Sequence, residues 1–391
     1  MGSILRGSGP LVCVVGARPN YMKMAPLVRA FAQTPGLPSA MLIHTGQHYD
    51  VEMNARLFAD LGLPPPDLNL EVGSATHAVQ TAEIMRRFDP IVEEMKPACV
   101  IVVGDVNSTL ACTLVAVKRG VPVAHVEAGL RSFDRQMPEE INRLLTDQVA
   151  DLLYTTEPDA EANLVREGVD GSRIHFVGNV MIDSLRHHLP RAITPAATLQ
   201  AAGLSCKALD GAEGYGVVTL HRPSNVDTRD ALGDVLEMLR NVSLRLPFAW
   251  PLHPRTRDNI ARFGFEEFLQ TARIVLLPPQ GYLEMLGLLA GARVVLTDSG
   301  GIQEETTALA VPCLTVRDNT ERPVTVSQGT NTLVGRNPAA VARALDDIFA
   351  TGGKRGRVPE GWDGRAAPRI ASHLASWLAS RHPAAERVGI G

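Results

Sequence analysis

Residues 99–129 read CVIVVGDVNSTLACTLVAVKRGVPVAHVEAG. Two short apolar runs rich in β-branched residues, CVIVVG at 99–104 and VPVAHVEAG at 121–129, each end in a turn that carries glycine and acid, and a helical pattern lies between them. A strand buried on both faces needs no polar alternation, so this pattern predicts a parallel βαβ unit. The same rhythm runs outward in both directions. LVCVVG at 11–16, AMLIHTG at 40–46 and DLLYTT at 151–156 add strands, and RIHFVGNVMIDSL at 173–185 reads as a last strand leading into a helix. Residues 190–215 turn to Ala, Pro and Gly without a firm period, as a linker or peripheral helix does. The rhythm then restarts with YGVVTLHRP (215–223), PFAWPLHP (247–254), RIVLLPP (273–279), ARVVLTDSGG (292–301) and VPCLTVRDNTERP (311–323).

The expected fold is therefore α/β, with two doubly wound Rossmann-like domains and a cleft between them. The first spans residues 1–180 and the second 181–365, and an alanine-rich amphipathic helix within 366–391 packs back to complete the first. A length of 391 residues agrees, since single cores stop growing at roughly 250 to 300 residues.

Composition bounds the function. With 45% hydrophobic and 20% charged residues and a formal net charge of −4, the chain is a globular protein without general attraction for nucleic acid or anionic lipid. Any anionic ligand has to be held by local groups. Cys13, Cys99, Cys112, Cys206 and Cys313 lack metal-ligand spacing and read as reduced core residues. The first ten residues, MGSILRGSGP, contain no signal-like apolar stretch, and no run approaches the ~20 apolar residues of a membrane span, so a cytoplasmic location is expected.

In open parallel sheets, ligands sit beyond the carboxyl ends of the strands, and the unusual polar clusters fall there. TDSGGIQEE (297–305) places Ser299, Gly300 and Gly301 at a strand-to-helix turn. Its backbone N–H groups and helix terminus suit a diphosphate, and Glu304 or Glu305 suits a ribose diol; a Ser-capped tight turn is the plainer alternative. GARPNYMK (16–23) brings Arg18 and Lys23 to the end of the first strand, as phosphate ligands or as an ordinary solvated loop. It lacks the GxGxxG spacing, which counts against a bound NAD, and no cofactor is expected. Asp105, Glu127, and Glu139 with Glu140 lie at or near strand ends, where a partly desolvated cleft can separate carboxyl pKa values for acid and base roles. Helix-cap or first-turn roles are the plainer reading of each taken singly. His221 and His253 each close an apolar run; a lone histidine there is more often structural, but two of them beside a diphosphate turn favour contact with ligand.

Together these motifs resemble the non-hydrolysing UDP-N-acetylglucosamine 2-epimerases. The resemblance runs through GARPNYMKMAPL, TGQHYD, KPACVIVVGDVNSTLA, GVPVAHVEAGLRS, MPEEINRLLTD, VGNVMIDSL, TLHRPSNVD, WPLHPRTR, LTDSGGIQEE and RDNTERPVTVSQGTNTLVG, nearly the whole chain. It implies the two-domain GT-B fold, commonly as a homodimer, and conversion of UDP-N-acetylglucosamine to UDP-N-acetylmannosamine by UDP elimination to 2-acetamidoglucal and re-addition. It implies Asp105, Glu127, Glu139 and His221 as the residues of the chemistry. Arg18, Lys23, His253, Ser299, Gly300, Gly301, Glu305 and Arg322 are implied as substrate contacts. Gln47 and His48 match part of a region where some bacterial members bind a second UDP-N-acetylglucosamine as activator. The chain departs from many relatives at Ser224, where they carry glutamate. A C2 epimerase of a modified UDP-amino sugar and a hydrolysing 2-epimerase are the neighbouring readings. A GT-B glycosyltransferase and a non-catalytic UDP-sugar sensor lie further off.

Overall fold

The computed structural model describes residues 9–46, 57–270 and 272–381. By contact density the chain divides into two compact units, the first comprising residues up to Ser184 and from Glu360 onward, the second Leu185–Pro359. The boundary falls inside the helix Val180–His188.

In the first unit the strands are β1 (Leu11–Val15), β2 (Ala40–His44), β3 (Leu68–Asn69), β4 (Cys99–Val103), β5 (Val123–Ala128), β6 (Leu152–Thr155) and β7 (Ile174–Phe176). They form one parallel sheet in the order β3-β2-β1-β4-β5-β6-β7. Every residue of β1 and β4 is buried, which is why these runs are apolar throughout: helices cover both faces. The helix Ala366–Arg381 packs on the helix Arg18–Gln33, and its first turn is capped by Asp183, whose carboxylate accepts from the N–H groups of Ala366 (3.1 Å) and Ala367 (2.7 Å).

The second unit repeats the plan with β8 (Gly216–Thr219), β9 (Phe248–Pro251), β10 (Ile274–Leu277), β11 (Val294–Thr297), β12 (Cys313–Thr315) and β13 (Asn331–Leu333), ordered β10-β9-β8-β11-β12-β13. Two apolar clusters, one around Trp250 and Leu239 and the other around Val217 and Leu288, make its core.

Each sheet thus has the doubly wound order 3-2-1-4-5-6, extended in the first by a seventh strand, with its switch point beside its own first strand, at β1/β4 and at β8/β11. Four cysteines are buried as expected, but Cys206 is exposed, because it lies outside the sheets in the turn-rich stretch before β8. Among the described residues no helix is long and apolar enough to cross a membrane.

Candidate active site

At the first switch point, Gly16 and Ala17 follow β1 and the helix begins at once with Arg18. Asn20 locks this turn: its Oδ1 accepts from Gly16 N (3.1 Å) and Ala17 N (2.9 Å), and its Nδ2 donates to Val103 O at the end of β4 (3.0 Å). One turn further on, Lys23 is buried and its Nζ lies 2.7 Å and 2.6 Å from the two carboxylate oxygens of Glu127. GARPNYMK is thus the opening of a helix, with Arg18 partly exposed at its start and Lys23 engaged inside.

Glu127 stands at an irregularity of β5, where the register against β6 shifts between Val126 and Ala128, and its φ is +73°. Few non-glycine residues adopt that conformation, and such outliers concentrate at functional sites. Gly104, at the end of β4, also has positive φ (+66°); a Cβ there would lie 3.0 Å from Lys23 Nζ and 3.9 Å from Glu127 Oε1. Glycine lets the backbone approach this ion pair closely.

Asp105 comes next. Its side chain pairs with Arg143, and its carbonyl accepts from Asn142 Nδ2 at 2.8 Å. Arg143 also binds Glu140, with Nη2 to Oε2 at 2.6 Å, and Glu140 in turn accepts from Ser132 N (3.0 Å) and Phe133 N (2.9 Å). Burial pushes the Glu140 carboxyl up, but these backbone donors and Arg143 outweigh it and hold the group below its ordinary range. Of the two adjacent glutamates, Glu140 is therefore committed to the loop before its helix, while Glu139 is only partly buried. The first unit thus links Lys23 with Glu127 and Asp105 with Arg143.

In the second unit, Asp298 follows β11 and is fully buried. Its carboxylate accepts from the backbone N–H groups of His221 (3.0 Å) and Arg222 (2.9 Å) and from Asn225 Nδ2 (3.0 Å), and lies 3.1 Å from His221 Nδ1. Burial raises its pKa, but the His221 ring and these donors outweigh the effect and hold it low. The His221 side chain is held from one side and remains 38% exposed, which is the geometry of an oriented imidazole. The His253 ring lies beside it, centroids 5.3 Å apart. Ser224 is exposed on the short helix Pro223–Val226, whereas Asn225 points inward to Asp298 and to Val316 O.

Ser299 is the N-terminal boundary residue of the helix Gly300–Leu309 and makes no side-chain cap bond. A Cβ on Gly300 would meet Glu321 Oε1 at 2.6 Å. Glu321 is held by Arg317 (2.8 Å) and lies 3.5 Å from Arg222, and although burial opposes ionisation, Arg317, Arg322 and Arg222 keep its carboxyl well below the usual range. Arg322 is itself buried, and its Nε donates to Glu304 (2.8 Å). That pairing separates the two glutamates left open by the sequence. Glu304 holds Arg322, while burial and the neighbouring Glu304 charge push the Glu305 carboxyl up to about 7. Gln47 and His48 lie outside the described residues. Among the described residues no cluster of three His, Cys, Asp or Glu side chains is arranged to hold a metal ion.

Two doubly wound parallel sheets, each carrying polar clusters beyond the carboxyl ends of its strands, define an α/β protein of the GT-B class with two Rossmann-like domains. The family model described as UDP-N-acetylglucosamine 2-epimerase matches residues 31–375, and the chain belongs to that family. The UDP-N-acetylglucosamine 2-epimerase of Methanocaldococcus jannaschii is 39% identical over 367 residues, 93% of this chain and 98% of that protein. The UDP-2,3-diacetamido-2,3-dideoxy-D-glucuronate 2-epimerase of Pseudomonas aeruginosa is also 39% identical, over 93% of this chain and 99% of its own length. The crystal structure of the M. jannaschii UDP-GlcNAc 2-epimerase in complex with UDP-GlcNAc and UDP matches with a TM-score of 0.82 at 38% identity, covering 94% of this chain and 99% of that one.

Proposed function

We propose that the protein inverts C2 of UDP-N-acetylglucosamine to give UDP-N-acetylmannosamine, without hydrolysis. The observation that carries this reading is the pairing of Lys23 with Glu127 beside Asp105 at one switch point, with His221 on Asp298 beside the Gly300 helix terminus at the other.

The chemistry requires such groups. C2 of the sugar is not next to a carbonyl, so its hydrogen cannot leave to a stabilised enolate. Instead the C1–O bond breaks, UDP takes the bonding pair, and a carboxylate takes the C2 proton, leaving a C1=C2 double bond in 2-acetamidoglucal. A proton then returns to C2 from the opposite face and a UDP oxygen re-adds to C1, so atoms and electrons balance without an external oxidant. Asp105, Glu127 and Glu139 supply the acid and base, and His221 with Arg18, Arg322, His253 and the Ser299–Gly301 turn steadies the departing diphosphate. Glu305 receives the ribose diol, and exclusion of water protects the glucal from hydrolysis. The resemblance supports a homodimer.

Positional isotope exchange tests the bond-breaking step. Substrate carrying ¹⁸O between C1 and the β-phosphorus is expected to scramble label into the non-bridging positions as it epimerises; epimerisation with the label fixed contradicts elimination. A second reading has a specific support in the Pseudomonas aeruginosa relative, whose name gives a diacetamido uronic acid substrate. Turnover of that sugar with none of UDP-N-acetylglucosamine would select it.

A further inference from the structure

Behind the proposed catalytic carboxylates lies a set of charged side chains that the chemistry above leaves unused. His125, on β5 two residues before Glu127, is completely buried. Its Nδ1 is 2.6 Å from Asp147 Oδ1 and its Nε2 is 2.8 Å from Gly104 O. Each ring nitrogen thus lies within hydrogen-bonding distance of a fixed oxygen, so the imidazole is held at both ends. The second Asp147 oxygen accepts from Gly129 N (3.0 Å) and pairs with Arg131 Nη1 (2.8 Å), and Arg131 reaches on to Glu167. Asp147 is completely buried; burial raises its pKa, and His125 and Arg131 more than offset this.

The attachment points of this network are informative. Gly104 immediately precedes Asp105, and His125 and Gly129 stand two residues on either side of Glu127. A single buried histidine–aspartate pair therefore grips the turn that carries one proposed catalytic acid and both flanks of the positive-φ residue that is the other. Buried ionic groups contribute little net stability compared with apolar packing of the same volume, whereas a strained backbone persists only where its surroundings over-determine it. We propose that His125 and Asp147 are positioning residues that fix Glu127 and the Gly104–Asp105 turn at one separation, an inference that rests on the epimerase reading above.

The test uses the full-length protein with His125→Asn and Asp147→Asn, and Glu167→Gln as a control that loosens only the outer end of Arg131. Both inner variants are expected to lose roughly tenfold to a hundredfold in kcat, with KM and the UDP dissociation constant within about twofold of wild type. Glu167→Gln is expected to lower the melting temperature at most, leaving kcat unchanged. A lowered melting temperature with kcat retained in both inner variants would overturn the proposal. Should either variant fail to fold, the remaining one, or the milder His125→Gln, decides by the same kcat readout. A wild type that turns over neither UDP-amino sugar overturns the epimerase reading instead, which separates the two failures.

Discussion

Replacing Gly104 with alanine perturbs the first switch point in a way the geometry makes quantitative. Its φ of +66° places an alanine in the left-handed region, at a cost of about 1–2 kcal/mol. For a unit of this size that lowers the melting temperature by roughly 2–8 °C. The new Cβ would also lie 3.0 Å from Lys23 Nζ, so the ammonium must give by a few tenths of an ångström. Lys23 is only 6% exposed and holds both oxygens of Glu127, so it cannot yield without moving that carboxylate. Misplacement of a proton-transfer group on this scale is expected to lower kcat by ~10 to 100-fold. Gly62→Ala separates the two effects, since its φ is +64° and a Cβ there meets nothing within 4 Å. Calorimetry should record similar stability losses for the two variants, and initial rates of epimerisation should fall for Gly104→Ala alone. Wild-type kcat in Gly104→Ala, or an equal kcat loss in Gly62→Ala, would refute the reasoning.

Asp105→Asn, Glu127→Gln and His221→Asn should each lower turnover by at least ~100-fold while leaving UDP affinity largely intact, as rate and calorimetric titration together will show. Gly300→Ala forces a methyl group against the Glu321 carboxylate, 2.6 Å away and pinned by arginine, and should weaken UDP binding by roughly tenfold in the same titration. Glu305 has its pKa raised from 4.5 to about 7, so its contribution to stability is fully present below the unfolded value and is lost as pH rises through 7. If ribose hydroxyls donate to its carboxylate, binding favours the ionised form; UDP affinity should then fall as pH drops below about 7, and Glu305→Gln should flatten that dependence.

Much of this architecture is legible in the sequence because a doubly covered parallel strand must be apolar throughout, as CVIVV at β4 is. Two of the shortest strands escape that logic, because Leu68–Asn69 and Asn331–Leu333 each carry asparagine and no apolar run. The residues proposed for the site were found because they follow strand ends, but their support was not. His125, Asp147 and Asp298 all lie inside the quoted motifs HVEAG, RLLTD and LTDSGG. What the string hides is the partner. His221 meets Asp298 because β8 and β11 are neighbours across the switch point, an adjacency that skips two strands in chain order. His125 on β5 meets Asp147 near the far end of the helix Pro138–Val149 that follows it. Likewise, adjacency on a helix made Glu304 and Glu305 equivalent until Arg322 engaged one of them.

Proton NMR of the purified protein with UDP-N-acetylglucosamine in D₂O, with no acceptor added, tests the central claim most directly. The account predicts growth of UDP-N-acetylmannosamine signals with deuterium at C2. Release of free N-acetylmannosamine in step with UDP, or epimer that retains its C2 protium, would contradict it.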